Sequence, residues 1–333
     1  MEKFFKIKER GSTLKTEIFA GITTFFAMAY IIFVNPNQVA AEGANGWLVG
    51  LGADPGTMGQ IWNSVYIASI IVAIIGTLLM AFVADMPFAQ ACGMGLNSFF
   101  CTIFVAGSFF AGEDVKTGYQ AGLVIVFLSG IVFLLLSVTG LRKYIAVSMP
   151  ECLKKAIPAG IGLFIAFIGL QNAKIVIGGS TLVQLFSVAK YNEVNGVNAT
   201  FNDVGITVLL AIIGVIITAI LVVKNVKGNI LWGILITWVL GIICQLTGVY
   251  VPNAELGFYN LLPDFSNGIS IPSLAPVFCK MNFSGILSLN FIVVIFSFLF
   301  VDLFDTIGTL IGVSSKAGML DENGKLPRIK GAL

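Results

Sequence analysis

Residues 296–312 read FSFLFVDLFDTIGTLIG, an apolar run long enough to cross a bilayer with two carboxylates, Asp302 and Asp305, inside it. The acids are three apart, and Thr306 and Thr309 follow at helical spacing, so all four fall on one narrow stripe of a helix. Each ionised Asp near the middle of a spanning helix costs roughly 2.5–3.5 kcal/mol, while each Leu, Ile, Phe or Val returns about 0.3–0.6 kcal/mol. Two charges therefore need on the order of ten apolar residues to break even, and the run from Ile286 supplies about that many. The stripe cannot face lipid, and the default meaning of an intramembrane carboxylate is a binding or ion site. About eleven residues at 1.5 Å each separate Asp305 from Lys316, roughly 16 Å, which puts Asp305 deep. Asp302 reads as a second functional acid or as a group that orients its neighbour.

Composition agrees with a membrane setting. Hydrophobic residues make up 57% of the 333-residue chain, charged residues 11%, and the mean hydropathy is +0.96, values of an integral membrane protein rather than a soluble domain. There is no histidine, so the usual proton shuttle and a common metal ligand are missing, and proton chemistry near neutral pH falls to a carboxylate. Cys92, Cys101, Cys152, Cys244 and Cys279 are scattered without close pairing and read as small apolar fillers rather than a metal or disulfide framework. No metal, no catalytic residues and no nucleic-acid partner are expected. Residues 1–17 mix basic and acidic side chains without the apolar core and small-residue cleavage site of a signal peptide, and read as a cytoplasmic amphipathic lead-in.

Apolar spans are expected at approximately 18–39, 62–84, 88–110, 119–139, 156–178, 204–223, 229–250 and 285–312, about eight helices of the length a bilayer crossing needs. Dealing the 19 Lys and Arg to alternate sides puts 15 on one side, with the lead-in, Arg142, Lys155, Lys224 and Lys316 among them. Only Lys116, Lys174, Lys190 and Lys280 fall on the other. By the positive-inside rule both ends of this chain are cytoplasmic, in agreement with an even number of spans.

Two spans are irregular. The first runs into Asn35-Pro36-Asn37, where its helix is expected to be interrupted or to end. The third opens PFAQACGMGLNSFF, and Gly93-Met94-Gly95 suits a broken backbone that becomes helical near Leu96 or Asn97. A discontinuous helix at membrane depth is tolerated where the freed backbone groups line an enclosed cavity, and a helix N-terminus there offers N–H donors to a ligand. Gln90 and Asn97 bring polar groups to the same place. Gly93 and Gly95 lack the strand–turn–helix context of a dinucleotide fingerprint. Asp85 reads as an interfacial charge, and Gly308 and Gly312 as a close helix-packing motif. Thr306 and Thr309 can hydrogen-bond their own helix backbone, though their alignment with Asp305 tips them toward the site. Gly331-Ala332-Leu333 looks like the start of a further segment, so the chain is expected to be the N-terminal portion of a longer protein.

Three stretches carry a family resemblance: GITTFFAMAYIIFVNP in the first span, QACGMGLNSFF in the third and FVDLFDTIGTLIGVSSKAGMLDENGKLP in the eighth. They resemble the signatures of adenine/guanine/hypoxanthine permeases, a branch of the nucleobase/ascorbate transporter (nucleobase:cation symporter-2) family, in order along the whole chain. The resemblance implies an all-α polytopic membrane protein, here about eight spans of a 7+7 inverted repeat, whose third span is a short strand plus a helix. It implies core-domain spans over 18–139, gate-domain spans over 140–250, and over 251–333 an extracytoplasmic loop, the core-domain eighth span and a cytoplasmic end. The family's nucleobase-holding and proton-coupling carboxylate falls on Asp305, with Asp302 beside it, and the position one turn later falls on Thr309. The third-span backbone at Gly95, Leu96 and Asn97 would face the ring from the other side, with Thr306 and Tyr30 as further candidates. The family's ninth span and the acidic tenth span do not appear in this sequence.

The reading is therefore a multi-pass permease of the cytoplasmic membrane. It takes up a purine nucleobase, with the proton as coupling ion and no cofactor, by elevator-like alternating access among membrane lipid, and a homodimer is compatible with it. The alternative is a transporter of uracil, xanthine or an inorganic anion on the same fold. An intramembrane aspartyl protease is remote, because that chemistry needs two Asp facing each other from neighbouring helices and both acids here lie on one.

Overall fold

The computed structural model describes residues 5, 7–9, 11–40, 48, 52–101, 103, 115–148, 150–179, 182–262, 271–283 and 289–319. Over these the chain is predominantly helical. Six helical segments are long and apolar enough to cross a membrane: Leu14–Val39, Pro55–Phe82, Lys116–Val138, Phe201–Val223, Asn229–Leu246 and Phe291–Lys316. The helical region of the fifth expected span is shorter, Ala156–Asn172. Residues 102 and 104–110 of the third lie outside the described residues.

The first span is two helices, α1 (Leu14–Met28) and α2 (Ile31–Val39). The Thr13 hydroxyl caps α1 by accepting from the Thr16 amide. Thr23 and Thr24 donate to the carbonyls of Phe19 and Ala20 at 2.8 and 2.9 Å, which lets two hydroxyls sit in an apolar helix without an outside partner. The interruption falls at Ala29–Tyr30, not at Asn35-Pro36-Asn37, and Pro36 lies inside α2. The turn a proline disturbs reaches back to the carbonyl four residues earlier, at Ile32, so Pro36 is accommodated within α2 and the break at Ala29–Tyr30 lies upstream of that turn. α3 (Pro55–Phe82) starts with Asp54 as cap and a proline in its first turn. The Asp54 carboxylate accepts the Thr57 amide at 2.7 Å, and hydrogen bonding to Thr57 holds its pKa below the usual carboxylate value.

Residues 85–93 have no regular secondary structure, and the helix after them, α4 (Met94–Phe100), begins at Met94. The short strand expected in this span is not formed, since a strand exists only with a ladder partner and these residues have none among the described residues. Next come α5 (Val115–Val138), α6 (Leu141–Ser148) and α7 (Glu151–Asn172), which contains Pro158. The apolar residues after Asn172, expected to complete a span, instead form a small antiparallel hairpin, β1 (Val176–Gly178) with β2 (Val183–Leu185), in register Ile177 to Gln184. The fold is thus not purely helical. α8 (Val188–Asn195), a π turn at Phe201–Gly205, α9 (Ile206–Val223), α10 (Asn229–Leu246) and α11 (Leu289–Lys316) complete the order.

The chain divides into two units, Met1–Tyr30 with Ala166–Ser270, and Ile31–Ile165 with Ile271–Leu333. The divisions fall at the α1/α2 break, within α7 and between residues 270 and 271. In the first unit α9 packs against α10 and α1 lies beside α10. A satellite core of Ile177, Tyr191, Ala199 and Val204 sits under the hairpin, and the Asp203 carboxylate accepts the Thr200 amide in a capping box there.

In the second unit α2 packs on α3 and α4, and α11 on α5 and α4. Met58, Ile125 and Phe291 are fully buried in its core, and Phe100 meets Tyr119 edge to face at 5.4 Å. The Ser64 hydroxyl donates at 2.8 Å to the carbonyl of Ser273, tying residues 271–283 to α3. Outward faces stay apolar, with Val138 79% exposed and Val223 80% exposed. Lipid is as apolar as these side chains, so helix association rests on close packing and internal hydrogen bonds rather than on expulsion of water.

Candidate binding site

α11 is seated by the residues flanking its polar stripe. Leu303 and Ile307 are buried against Phe133, Leu136 and Ile157. A Cβ on Gly308 would collide with Ile157, and one on Gly312 would stand 2.9 Å from Pro158. The GxxxG pair is therefore a groove that admits α7, which fixes the rotation of α11. Asp305 and Thr306 are half-buried on another face, and Thr309 is exposed.

Asp305 meets the broken third span. Its Oδ2 lies 3.0 Å from where a Cβ on Gly93 would stand, so the carboxylate rests against backbone that only glycine exposes. Gly93 is the N-cap of α4, with extended backbone (φ −78°, ψ 115°) and no side-chain cap. A carboxylate at the N-terminal end of a helix is favoured by the helix dipole. Among the described residues a Cβ on Gly95 would meet nothing within 4 Å, so there is open space beside it. The irregular residues before Gly93 lie along α3: the Gln90 amide donates to the Thr77 hydroxyl at 3.0 Å, and a Cβ on Gly76 would stand 3.1 Å from that of Gln90.

One turn into α4, Asn97 donates its side-chain amide to Asn35 Oδ1 on α2. Asn35 donates in turn to the Ser69 hydroxyl on α3, and its amide nitrogen lies 3.4 Å from Cys92 Sγ. Ser69 donates to the Val65 carbonyl at 2.6 Å. Beside this chain Gln38 donates to the Ser98 hydroxyl at 3.3 Å. α2, α3 and α4 are thus held together by side-chain hydrogen bonds as well as by packing.

Of the residues singled out in the sequence, Asp305 and the Gly95, Leu96 and Asn97 segment come from α11 and α4, which pack together. Leu96 turns its side chain toward the core of the second unit and can offer only backbone to a ligand. The Thr306 hydroxyl donates to the Asp302 carbonyl at 2.9 Å, leaving its lone pairs to act as an acceptor. Asp302 is half-buried one turn before Asp305. Tyr30 is 43% exposed and ends the N-terminal segment of the first unit. The resemblance points to the backbone at Gly95, whereas the residue lying against Asp305 is Gly93, and neither Asn35 nor Ser69 was singled out as a site residue. Asn35 had a signal, a polar pair around a proline inside an apolar run. Ser69 had none, being one small hydroxyl among many. Among the described residues no three His, Cys, Asp or Glu side chains come together as a metal site would require.

Residues 15–333 match the model of the Permease family, Xan_ur_permease. The chain is 39% identical over 336 residues to the guanine/hypoxanthine permease PbuG of Bacillus subtilis, an alignment covering 100% of this chain and 66% of that protein. It is 36% identical over 330 residues to the guanine/hypoxanthine permease PbuO of the same organism, covering 99% and 65%. It is 34% identical over 336 residues to the adenine permease AdeP of Escherichia coli, covering 100% and 63%. The chain thus spans just under two thirds of the length of the curated relatives it matches.

Proposed function

The chain belongs to the Permease family, and from that premise we propose that it is a transporter, not an enzyme, that takes up adenine, guanine or hypoxanthine by proton symport. The observation that carries this is the Asp305 carboxylate lying against Gly93 at the start of α4, with open space at Gly95. A purine is planar, carries N–H donors that a carboxylate accepts, and carries ring nitrogens that peptide N–H groups satisfy. Relatives named for guanine, hypoxanthine and adenine support that class of substrate.

With no histidine in the chain, the coupling proton falls to Asp305, with Asp302 beside it on the same stripe. Asp305 accepts the N–H groups of the base, and its proton affinity changes with occupancy. The site works by alternating access of an elevator kind, in the cytoplasmic membrane, with both ends of this chain cytoplasmic, as the Lys and Arg distribution favours.

The test is uptake of labelled hypoxanthine, guanine and adenine into vesicles under an imposed proton gradient. Accumulation above the outside concentration is expected for the unaltered chain and its loss for Asp305→Asn. An Asp305→Asn chain that still concentrates hypoxanthine would sink the coupling role. Stronger competition by uracil, xanthine or sulfate than by purines would reassign the substrate.

A further inference from the structure

The hydrogen bonds beside the candidate site run in one direction, and that direction is set from one end. The Val65 backbone carbonyl can only accept. Ser69 donates to it at 2.6 Å, so its single proton is committed and it offers Asn35 only lone pairs. Asn35 must therefore turn its NH2 group toward Ser69, and that same group lies 3.4 Å from Cys92 Sγ. Its Oδ1 is left for Asn97, which answers with its own NH2 group. Asn35 and Ser69 are each only 5% exposed, so water cannot replace a lost partner and a flipped Asn35 amide would set oxygen against oxygen.

We propose that Asn35 is a positioning residue that makes Asn97 present its side-chain carbonyl oxygen, an acceptor, to the ligand. This rests on the nucleobase reading above and deepens it. With the Asp305 carboxylate on α11 and the Asn97 carbonyl on α4, the two side chains flanking the site both accept. The matching ligand edge is one rich in N–H groups. Hypoxanthine carries an N–H at ring position 1 where adenine carries a bare acceptor nitrogen, so the polarity of Asn97 acts on the choice between purines. Asn35 does so without touching the ligand.

The test is equilibrium binding of labelled hypoxanthine and adenine to the membrane-embedded chain, with thermal unfolding measured on the same preparations. Two variants are used. Asn35→Ala removes the partner that orients Asn97. Ser69→Ala leaves Asn35 in place but frees its amide to turn, and it decides the matter alone if Asn35→Ala does not fold. The ratio of the two dissociation constants is expected to change about 3- to 10-fold in Asn35→Ala, the effect of one net hydrogen bond, and by less in the same direction in Ser69→Ala. A purely structural role predicts that both ligands weaken by the same factor, and an unchanged ratio in both variants overturns the proposal. If the unaltered chain binds neither purine, the nucleobase reading fails and takes this inference with it, a result distinct from purine binding with a fixed ratio.

Discussion

Gly93 and Gly95 sit two residues apart and have opposite surroundings. A methyl group on Gly93 would stand 3.0 Å from Asp305 Oδ2, tighter than an ordinary carbon–oxygen contact, whereas one on Gly95 would touch no atom of the described residues within 4 Å. Gly93→Ala is therefore expected to push the carboxylate off its seat. A carboxylate displaced by a few tenths of an ångström loses part of the hydrogen bonding it would offer the base, about 0.5–1.5 kcal/mol, so purine affinity should fall roughly threefold to tenfold in equilibrium binding. Gly95→Ala provides the internal comparison. Its unfolding temperature should match that of the unaltered chain, and any loss of affinity there would come from the ligand occupying the open space. Unchanged binding in Gly93→Ala would show that the position of Asp305 is not set by the third span.

At the scale of the elements, α9 and α10 show how helices in lipid lock without a hydrophobic driving force. Thr218 donates to the Gly214 carbonyl and Thr237 to the Gly233 carbonyl, each at 2.8 Å. Gly214 is where Thr237 fits, and Gly233 is where Thr218 fits. Each glycine thus receives the other helix's threonine and feeds its carbonyl to its own. A Cβ on Gly214 would lie 2.5 Å from Thr237 Oγ1 and 2.9 Å from Thr237 Cγ2. Gly214→Ala should therefore destabilise the pair by about 1–3 kcal/mol. Thermal unfolding should show a lowered midpoint, partly restored in the double variant Gly214→Ala, Thr237→Ala. A double variant no better than Gly214→Ala alone would refute the interlock. None of this pairing was legible from sequence, where the same glycines and threonines read as ordinary contents of a span. What was legible is whatever depends on neighbours along the chain: the apolar runs and the break before Met94. The break at Ala29–Tyr30 and the hairpin after Asn172 were not, because no glycine or proline marks Ala29–Tyr30 and a short apolar segment becomes strand only when a second segment pairs with it. The same holds for the site. Asp305 stands out as a candidate by the cost of a carboxylate in an apolar run, while the hydrogen bonds of Asn35 are seen only once Asn97 and Ser69 are placed beside it.

At the scale of the molecule, orientation in the membrane turns on where the charges fall, and the chain carries reporters for it. Cys152, at the start of α7, and Cys279, in the segment tied to α3 through Ser273, are both exposed, while Cys92 and Cys244 are partly buried and Cys101 is buried. Cys152 lies among Arg142, Lys143, Lys154 and Lys155, on the side with most of the basic residues. Cys279 neighbours Lys280, one of the four lysines dealt to the opposite side. The positive-inside rule therefore places Cys152 in the cytoplasm and Cys279 outside. A charged maleimide that cannot cross the membrane, added to intact cells, should label a chain retaining only Cys279 and leave a chain retaining only Cys152 unmodified. Permeabilising the cells should make Cys152 reactive. Because the chain from α7 to α10 must cross the bilayer an odd number of times between the two reporters and α11 returns it to the cytoplasm, the reverse labelling would invert the whole arrangement. Labelling of both cysteines in intact cells would instead put an extra or missing crossing between them, which would undo the eight-span reading and with it the assignment of both ends to the cytoplasm.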